Sequence, residues 1–217
     1  MFNFILHIDV HLGQIIAMYG MVTYVILFAI IFMETGLVFT PFLPGDSLLF
    51  AAGAFAALGS LNIFLLLFLL FLAAVLGDTA NYWIGHFFGK QIVAHPKIPI
   101  DEKHIEETQK FYKKYGGKTI ILARFIPFIR TFAPFVAGIG SMSYPHFIFY
   151  NVIGAAIWVS VATLGGYFFG NIEFVKENFS MVIIGVVLIS VLPIFIGIVS
   201  KKLKKVKAQS KKNVDNE

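Results

Sequence analysis

Apolar residues come in six runs along the chain, at about residues 21–33, 37–58, 61–85, 119–139, 147–170 and 179–200. A helix needs roughly 20 consecutive apolar residues to span the hydrocarbon of a bilayer. The third, fifth and sixth runs meet that length, and the only charge inside them is Asp78, near the end of the third. Pro193 in the last run is tolerable in a membrane helix as a kink. The remaining runs are interrupted. Only Glu34-Thr35-Gly36 separates the first from the second. Pro41, Pro44 and Gly45 break the second, which carries Asp46. Pro127 and Pro134 break the fourth, which carries Arg124 and Arg130.

Composition supports the membrane reading. Of 217 residues, 58% are hydrophobic and 13% charged, and the mean hydropathy is +0.83. A soluble domain is about 25% charged; one this apolar would lack the polar surface to cover its core. A soluble enzyme, a disordered chain and a nucleic-acid-binding domain are therefore excluded. The length suits one membrane domain, placed at residues 1–200, with a basic tail at 201–217. There are no cysteines, which removes disulfides, thiolate catalysis and zinc–cysteine sites. The first 19 residues carry Asp9 and no Lys or Arg, unlike the basic start of a cleaved secretory signal.

The net charge of +5 matters less than where the charges sit. Seven lysines lie between Lys90 and Lys118, and seven more between Lys201 and Lys212. The positive-inside rule puts both clusters in the cytoplasm. Three full crossings by the fourth, fifth and sixth runs would leave the tail outside, whereas two return it. The fourth run, with its prolines and arginines, is the one expected to turn back as a re-entrant hairpin, at about 117–140. Residues 171–178 then face outward.

The first half repeats this design weakly. Tyr19-Gly20 opens a stretch closing with Ala52-Gly53 and Gly59-Ser60; Tyr115-Gly116 opens one closing with Ala137-Gly138 and Gly140-Ser141. Paired, Pro/Gly-broken segments in two halves point to an inverted-repeat transporter with a midplane site. The expected architecture is an all-α integral membrane protein of three or four transmembrane helices plus two re-entrant hairpins, the first at about 20–59. If residues 21–33 span the membrane the N-terminus is inside; if they belong to a hairpin it is outside. Residues 101–115 read as a short amphipathic helix, with Asp101 as N-cap. It lies on the cytoplasmic surface or forms a solvated connection. The lysine-rich tail can touch anionic headgroups or serve as a topological anchor.

Charges inside apolar runs carry the chemistry. Each of Glu34, Asp46, Arg124 and Arg130 costs roughly 2.5–3.5 kcal/mol at mid-membrane if left alone. Opposed hairpins would bring two acids and two bases together. The arginines can then hold a phosphate by bidentate hydrogen bonds, and the carboxylates can take up and release protons. A structural set of ion pairs holding the hairpins together is the alternative. Pro44-Gly45-Asp46-Ser47 reads as a turn and helix start, where Asp46 or Ser47 can cap. Arg124 and Arg130 are about 240° apart on a continuous helix, and a break at Pro127 would let them converge; Thr131 adjoins them. Asp78, with Asn81 and Tyr82, sits where interfacial or helix-pairing use is as natural as function. Asn151 and Trp158 can line the site or pack, and Gly154, Gly165 and Gly166 permit close helix contact. His7 and His11 lack a third metal ligand, and no cofactor is expected.

The residues Glu34-Thr35-Gly36, Phe42-Leu43-Pro44-Gly45-Asp46-Ser47-Leu48-Leu49, Gly77-Asp78, Arg124-Phe125-Ile126-Pro127-Phe128-Ile129-Arg130-Thr131, Ala137-Gly138 and Trp158 together resemble the DedA family, the bacterial branch of the SNARE-associated or VTT-domain membrane proteins. The resemblance covers about residues 15–200. It implies two facing re-entrant hairpins in an inverted repeat, residence in the bacterial cytoplasmic membrane and movement of lipids between leaflets. It places the family's functional acids on Glu34 and Asp46 and its functional arginines on Arg124 and Arg130. The leading expectation is a non-enzymatic flippase for undecaprenyl phosphate, a polyprenyl phosphate, coupled to protons. A phosphatidylethanolamine scramblase or a proton-dependent exporter of small cations is the alternative within transport. A membrane lipid phosphatase is disfavoured because no nucleophile–base pair is visible, and a purely structural scaffold is the remaining reading.

Overall fold

The structure is a computed structural model that describes residues 8–37, 45–94, 102–126 and 129–177. The sixth apolar run, the basic tail, Pro44, Pro127, His7 and Asp101 lie outside those residues. Every regular element among them is helical. They are α1 (Ile8–Gly36), α2 (Gly45–Ala57), α3 (Ile63–Ala94), α4 (Glu102–Tyr115), a 3₁₀ turn (Gly116–Lys118), α5 (Thr119–Ala123), α6 (Ile129–Val136), a π turn (Ala137–Ser141), α7 (Tyr144–Gly170) and α8 (Glu173–Glu177).

Two of these helices are, by length and composition together, long and apolar enough to cross a membrane. Ile63–Gly89 of α3 and Tyr144–Gly170 of α7 are each 27 residues long and predominantly apolar, about 40 Å of helix against a hydrocarbon core of about 30 Å. Asn62 starts α3: its Oδ1 accepts the amides of Phe64 at 3.0 Å and Leu65 at 3.1 Å. The Asn62 amide in turn donates to the Tyr24 phenol at 2.6 Å, tying α1 to the head of α3. The fourth apolar run is broken, as its prolines predict, into α5 and α6. Gly140, inside the π turn, takes φ 133°, a region open to glycine and costly for a residue with a Cβ.

The packing crosses over between the two halves. Helix α1 lies on α3 and α5 on α7, each beside its own long helix, whereas α2 packs on α7 and α6 with its π turn packs on α3. Glycines allow the crossed contacts. A Cβ at Gly166 would lie 1.9 Å from the Phe50 carbonyl oxygen, and one at Gly85 would lie 2.2 Å from the Phe135 carbonyl oxygen. The matching positions on the short helices are as tight: Gly53 sits against the Thr163 carbonyl and Gly138 against the Tyr82 carbonyl. Backbones this close gain van der Waals contact that larger side chains would prevent.

Two larger apolar cores and one smaller cluster result among the described residues. One gathers Ile31, Leu49, Leu66, Leu70, Ala155 and Val159, from α1, α2, the first half of α3 and the second half of α7. The other gathers Tyr82 and Phe147, from the opposite halves of α3 and α7, with Ile120 of α5 and Ala133 of α6, and Phe132, Phe135 and Val136 of α6 form the smaller cluster. Helix α4 is docked rather than merely solvated: Tyr112 donates its hydroxyl to the Ala133 carbonyl at 2.8 Å. Burial pushes the Tyr112 phenol above its ordinary range, so it stays a protonated donor.

Candidate functional site

Between the two cores lies a layer of polar side chains, and each member has a reason to be there. Helix α1 ends in Glu34-Thr35-Gly36, so the carboxylate hangs from the last turn of a helix whose preceding face is apolar. Glu34 is 2% exposed. Its Oε2 lies so close to the start of α2 that a Cβ at Gly45 would meet it at 1.7 Å. Only glycine fits there, which accounts for Gly45 preceding the acid of α2. Asp46 stands in the first turn of α2 with its side chain 63% exposed. Ser47 beside it is buried.

Arg130, at the start of α6, reaches both acids of the first half. Its Nη1 donates to Asp46 Oδ2 at 3.0 Å, and its Nη2 is bonded to Glu34 Oε1. Arg124 follows α5 and is 4% exposed. Its Nη2 donates to Asp78 Oδ2 and to Asn151 Oδ1, both at 2.5 Å. Trp158, from α7, joins the two arginines. The guanidinium carbons of Arg124 and Arg130 lie 5.7 and 5.8 Å from its ring, within cation–π range. Its indole N–H donates to Asp46 Oδ1 at 2.8 Å.

Two asparagines bind this layer to the backbone. Asn151 donates to the Val75 carbonyl at 3.1 Å. Asn81 donates to the Thr35 carbonyl at 3.1 Å and the Thr131 carbonyl at 2.9 Å, so one amide holds both interrupted segments. Glu34, Thr35, Asp78, Arg124, Arg130, Thr131 and Trp158 line a small cavity of about 10 Å³, room for about one water. Asp46, Arg124, Phe125, Trp158, Val161 and Ala162 line a groove of about 180 Å³ beside it.

The four charges singled out in the sequence do come together, but not in the expected partnership. Both first-half acids go to Arg130. Arg124 pairs with Asp78, for which the sequence left interfacial use, helix pairing and a part in the site open. Only its place near a helix end is corrected: α3 runs on to Ala94, so Asp78 lies midway along it and is 4% exposed, which leaves the interfacial use without support. The break between α5 and α6 does let Arg124 and Arg130 approach one indole despite their spacing of six. Thr131 contributes its carbonyl and lines the cavity. Asn81 was missed as a tie between the segments, because a neutral amide barely disturbs a hydropathy profile.

Comparison with known proteins bears on the whole chain. The VTT domain family matches residues 43–168. Protein DedA of Escherichia coli K12 is 54% identical over 203 residues, covering 92% of this chain and 93% of that protein. An uncharacterized membrane protein of Mycobacterium leprae is 42% identical over 169 residues, covering 77% and 76%. The inner membrane protein YghB of E. coli K12 is 35% identical over 158 residues, covering 72% of each. No solved structure matches. The chain belongs to the DedA family of VTT-domain membrane proteins.

Proposed function

We propose that this DedA-family protein is a flippase that carries undecaprenyl phosphate between the leaflets of the bacterial cytoplasmic membrane, coupled to protons. The observation that carries the reading is the polar layer in which two arginines are held by three carboxylates, Glu34 and Asp78 buried and Asp46 exposed, between two apolar cores. Arginine recognises phosphate through paired, charge-assisted hydrogen bonds. Here both Nη atoms of Arg130 and one of Arg124 are engaged by carboxylates, so a phosphate that takes both arginines binds by displacing them. A carboxylate driven from its arginine in an apolar surrounding is neutralised by a proton. Phosphate binding and proton uptake thereby become one event, with Glu34 and Asp46 as the exchanging acids.

The crossed packing supports a topology of two facing re-entrant hairpins, at about 20–59 and 117–140, in an inverted repeat within one domain at residues 1–200. Each half lends its second limb to the long helix of the other. Hairpins that rearrange against those helices would give alternating access to a midplane site. The lysines between Lys90 and Lys118 and the tail at 201–217 are assigned to the cytoplasm, where the tail meets anionic headgroups.

Reconstitution into liposomes tests the function. Polyprenyl phosphate should cross the bilayer faster than phosphatidylethanolamine and respond to an imposed pH gradient. Arg124→Ala should abolish binding of the phosphate head. Normal movement by that variant, or release of inorganic phosphate from a lipid diphosphate, would overturn the reading. One observation favours a second reading, export of small cations: Asp46 presents an exposed carboxylate at the groove. That reading requires cation movement down a pH gradient in liposomes devoid of polyprenyl phosphate.

A further inference from the structure

The two arginines are held differently. Both acids of Arg130 stand where the first half is interrupted, Glu34 in the last turn of α1 and Asp46 in the first turn of α2. Both side chains that bind Arg124 stand on the long helices: Asp78 on α3 and Asn151 on α7, each accepting from Nη2 at 2.5 Å. Asn151 is fully buried. Its amide donates to the Val75 carbonyl of α3 at 3.1 Å, so its acceptor oxygen is fixed by both long helices. The same face of α7 seats the rest of the guanidinium. Three residues on from Asn151, Gly154 leaves room: a Cβ there would lie 3.1 Å from Nε and 3.2 Å from Cδ of Arg124. Seven residues on, the Trp158 ring lies 5.7 Å from Cζ. Positions i, i+3 and i+7 share one face of a helix. Arg124 is buried yet lines the groove with Asp46, Phe125 and Trp158. Its Nε has no hydrogen-bond acceptor among the described residues.

We propose that Asn151 is a positioning residue, an uncharged tether that fixes Arg124 between α3 and α7 and keeps a stationary cation at the groove for an anionic ligand. The ligand class rests on the transport reading above; the placement of Arg124 does not. The choice of an amide carries the argument. The layer already has three carboxylates against two arginines. An aspartate at position 151 could accept the same bond from Nη2, but it would add a fourth negative charge, and an incoming anion would meet its repulsion. Asparagine supplies the acceptor and leaves the charge of Arg124 in place. An anion that displaces Asp78 from Nη2 has no charge to oppose at Asn151, so that bond persists and the guanidinium stays where it was. Arg130 has no such neutral acceptor among its side-chain hydrogen bonds to Glu34 and Asp46, and it is the arginine that changes partners.

Arg124 and Arg130 are the only arginines in the chain. Arginine-selective phenylglyoxal, applied to the full chain in detergent and read by peptide mass spectrometry, therefore reports on each separately. Asn151→Leu removes a hydrogen bond to a charged group and should speed modification of Arg124 about tenfold relative to Arg130. Asn151→Asp keeps the acceptor and loses the donor to Val75, and should restore the slow rate. Asn151→Ala serves in place of the leucine variant if that one loses its monodisperse elution profile. An unchanged ratio of the two rates overturns the positioning role, whether neither arginine speeds up or both do alike, because a merely loosened fold exposes both. Failure of Asn151→Asp to restore the slow rate overturns it too. Dodecyl phosphate then tests the charge argument, with dodecyl maltoside at equal concentration as control. It should protect Arg124 in the parent, and about tenfold more should be needed in Asn151→Asp; equal protection of the two overturns the advantage of an uncharged tether. If dodecyl phosphate protects neither while the effect of Asn151→Leu persists, the positioning role stands and the phosphate reading falls.

Discussion

At the scale of single residues, the ion pairs differ sharply in surroundings, and that difference predicts different consequences. Asp78 and Arg124 have side chains 6% and 5% exposed. Removing one charge of a buried pair strands the other, at a cost of about 3–5 kcal/mol. Asp78→Asn should therefore lower the thermal midpoint in detergent strongly. Asp46 is 63% exposed, and an exposed ion pair is worth about 1 kcal/mol or less. Asp46→Asn should leave the midpoint nearly unchanged while abolishing proton-dependent lipid movement. Thermal melts of the two variants side by side check the contrast. Charge inside apolar runs made Glu34, Asp46, Arg124 and Arg130 readable in the sequence. The pairing was not readable, because it depends on how far α3 continues. Phe87 and Phe88 carry that helix beyond Gly85, and this moves Asp78 from a supposed end to the middle.

At the scale of elements, the crossed joints rest on glycine. Gly85→Val and Gly166→Val each put a Cβ within 2.2 Å of a backbone carbonyl. Overpacking of this kind costs about 1–3 kcal/mol, occasionally more. Gly165→Ala adds a methyl group where nothing lies within 4 Å, and should stay within about 0.5 kcal/mol of the parent. Thermal midpoints of the three variants would test the joints, and equal values would show that the close approach does not govern stability. The dipeptide repeats seen in the sequence were a faint trace of this arrangement. A stronger trace lies in the long helices, where Gly85-His86-Phe87-Phe88-Gly89 and Gly166-Tyr167-Phe168-Phe169-Gly170 carry the same spacing. Its meaning emerges only in three dimensions, since Gly85 receives Phe135 and Gly166 receives Phe50.

At the scale of the whole molecule, two apolar cores sandwich one polar layer, and the proposed topology assigns a side to each end. A cysteine at Lys113 in α4 should react with an impermeant maleimide only from the cytoplasmic face. One at Asn171, after α7, should react only from outside. Labelling of intact cells and of inverted vesicles distinguishes the sides, and the reverse pattern would invert the topology. Runs of apolar residues were enough to read the long helices, whereas the crossing of the halves was not, because it is set by backbone contacts far apart in the chain. Asn81 gives this arrangement a thermodynamic consequence. Its amide has two hydrogens, one for Thr35 and one for Thr131. Parting the two segments strands only one carbonyl, and an unsatisfied buried acceptor costs roughly 1–3 kcal/mol. That corresponds to a factor of about 5–150 in equilibrium population. This one amide therefore adds a discrete penalty to parting the segments, on top of the ion pairs of Arg130 with Glu34 and Asp46, and a ligand that parts them has to offset both.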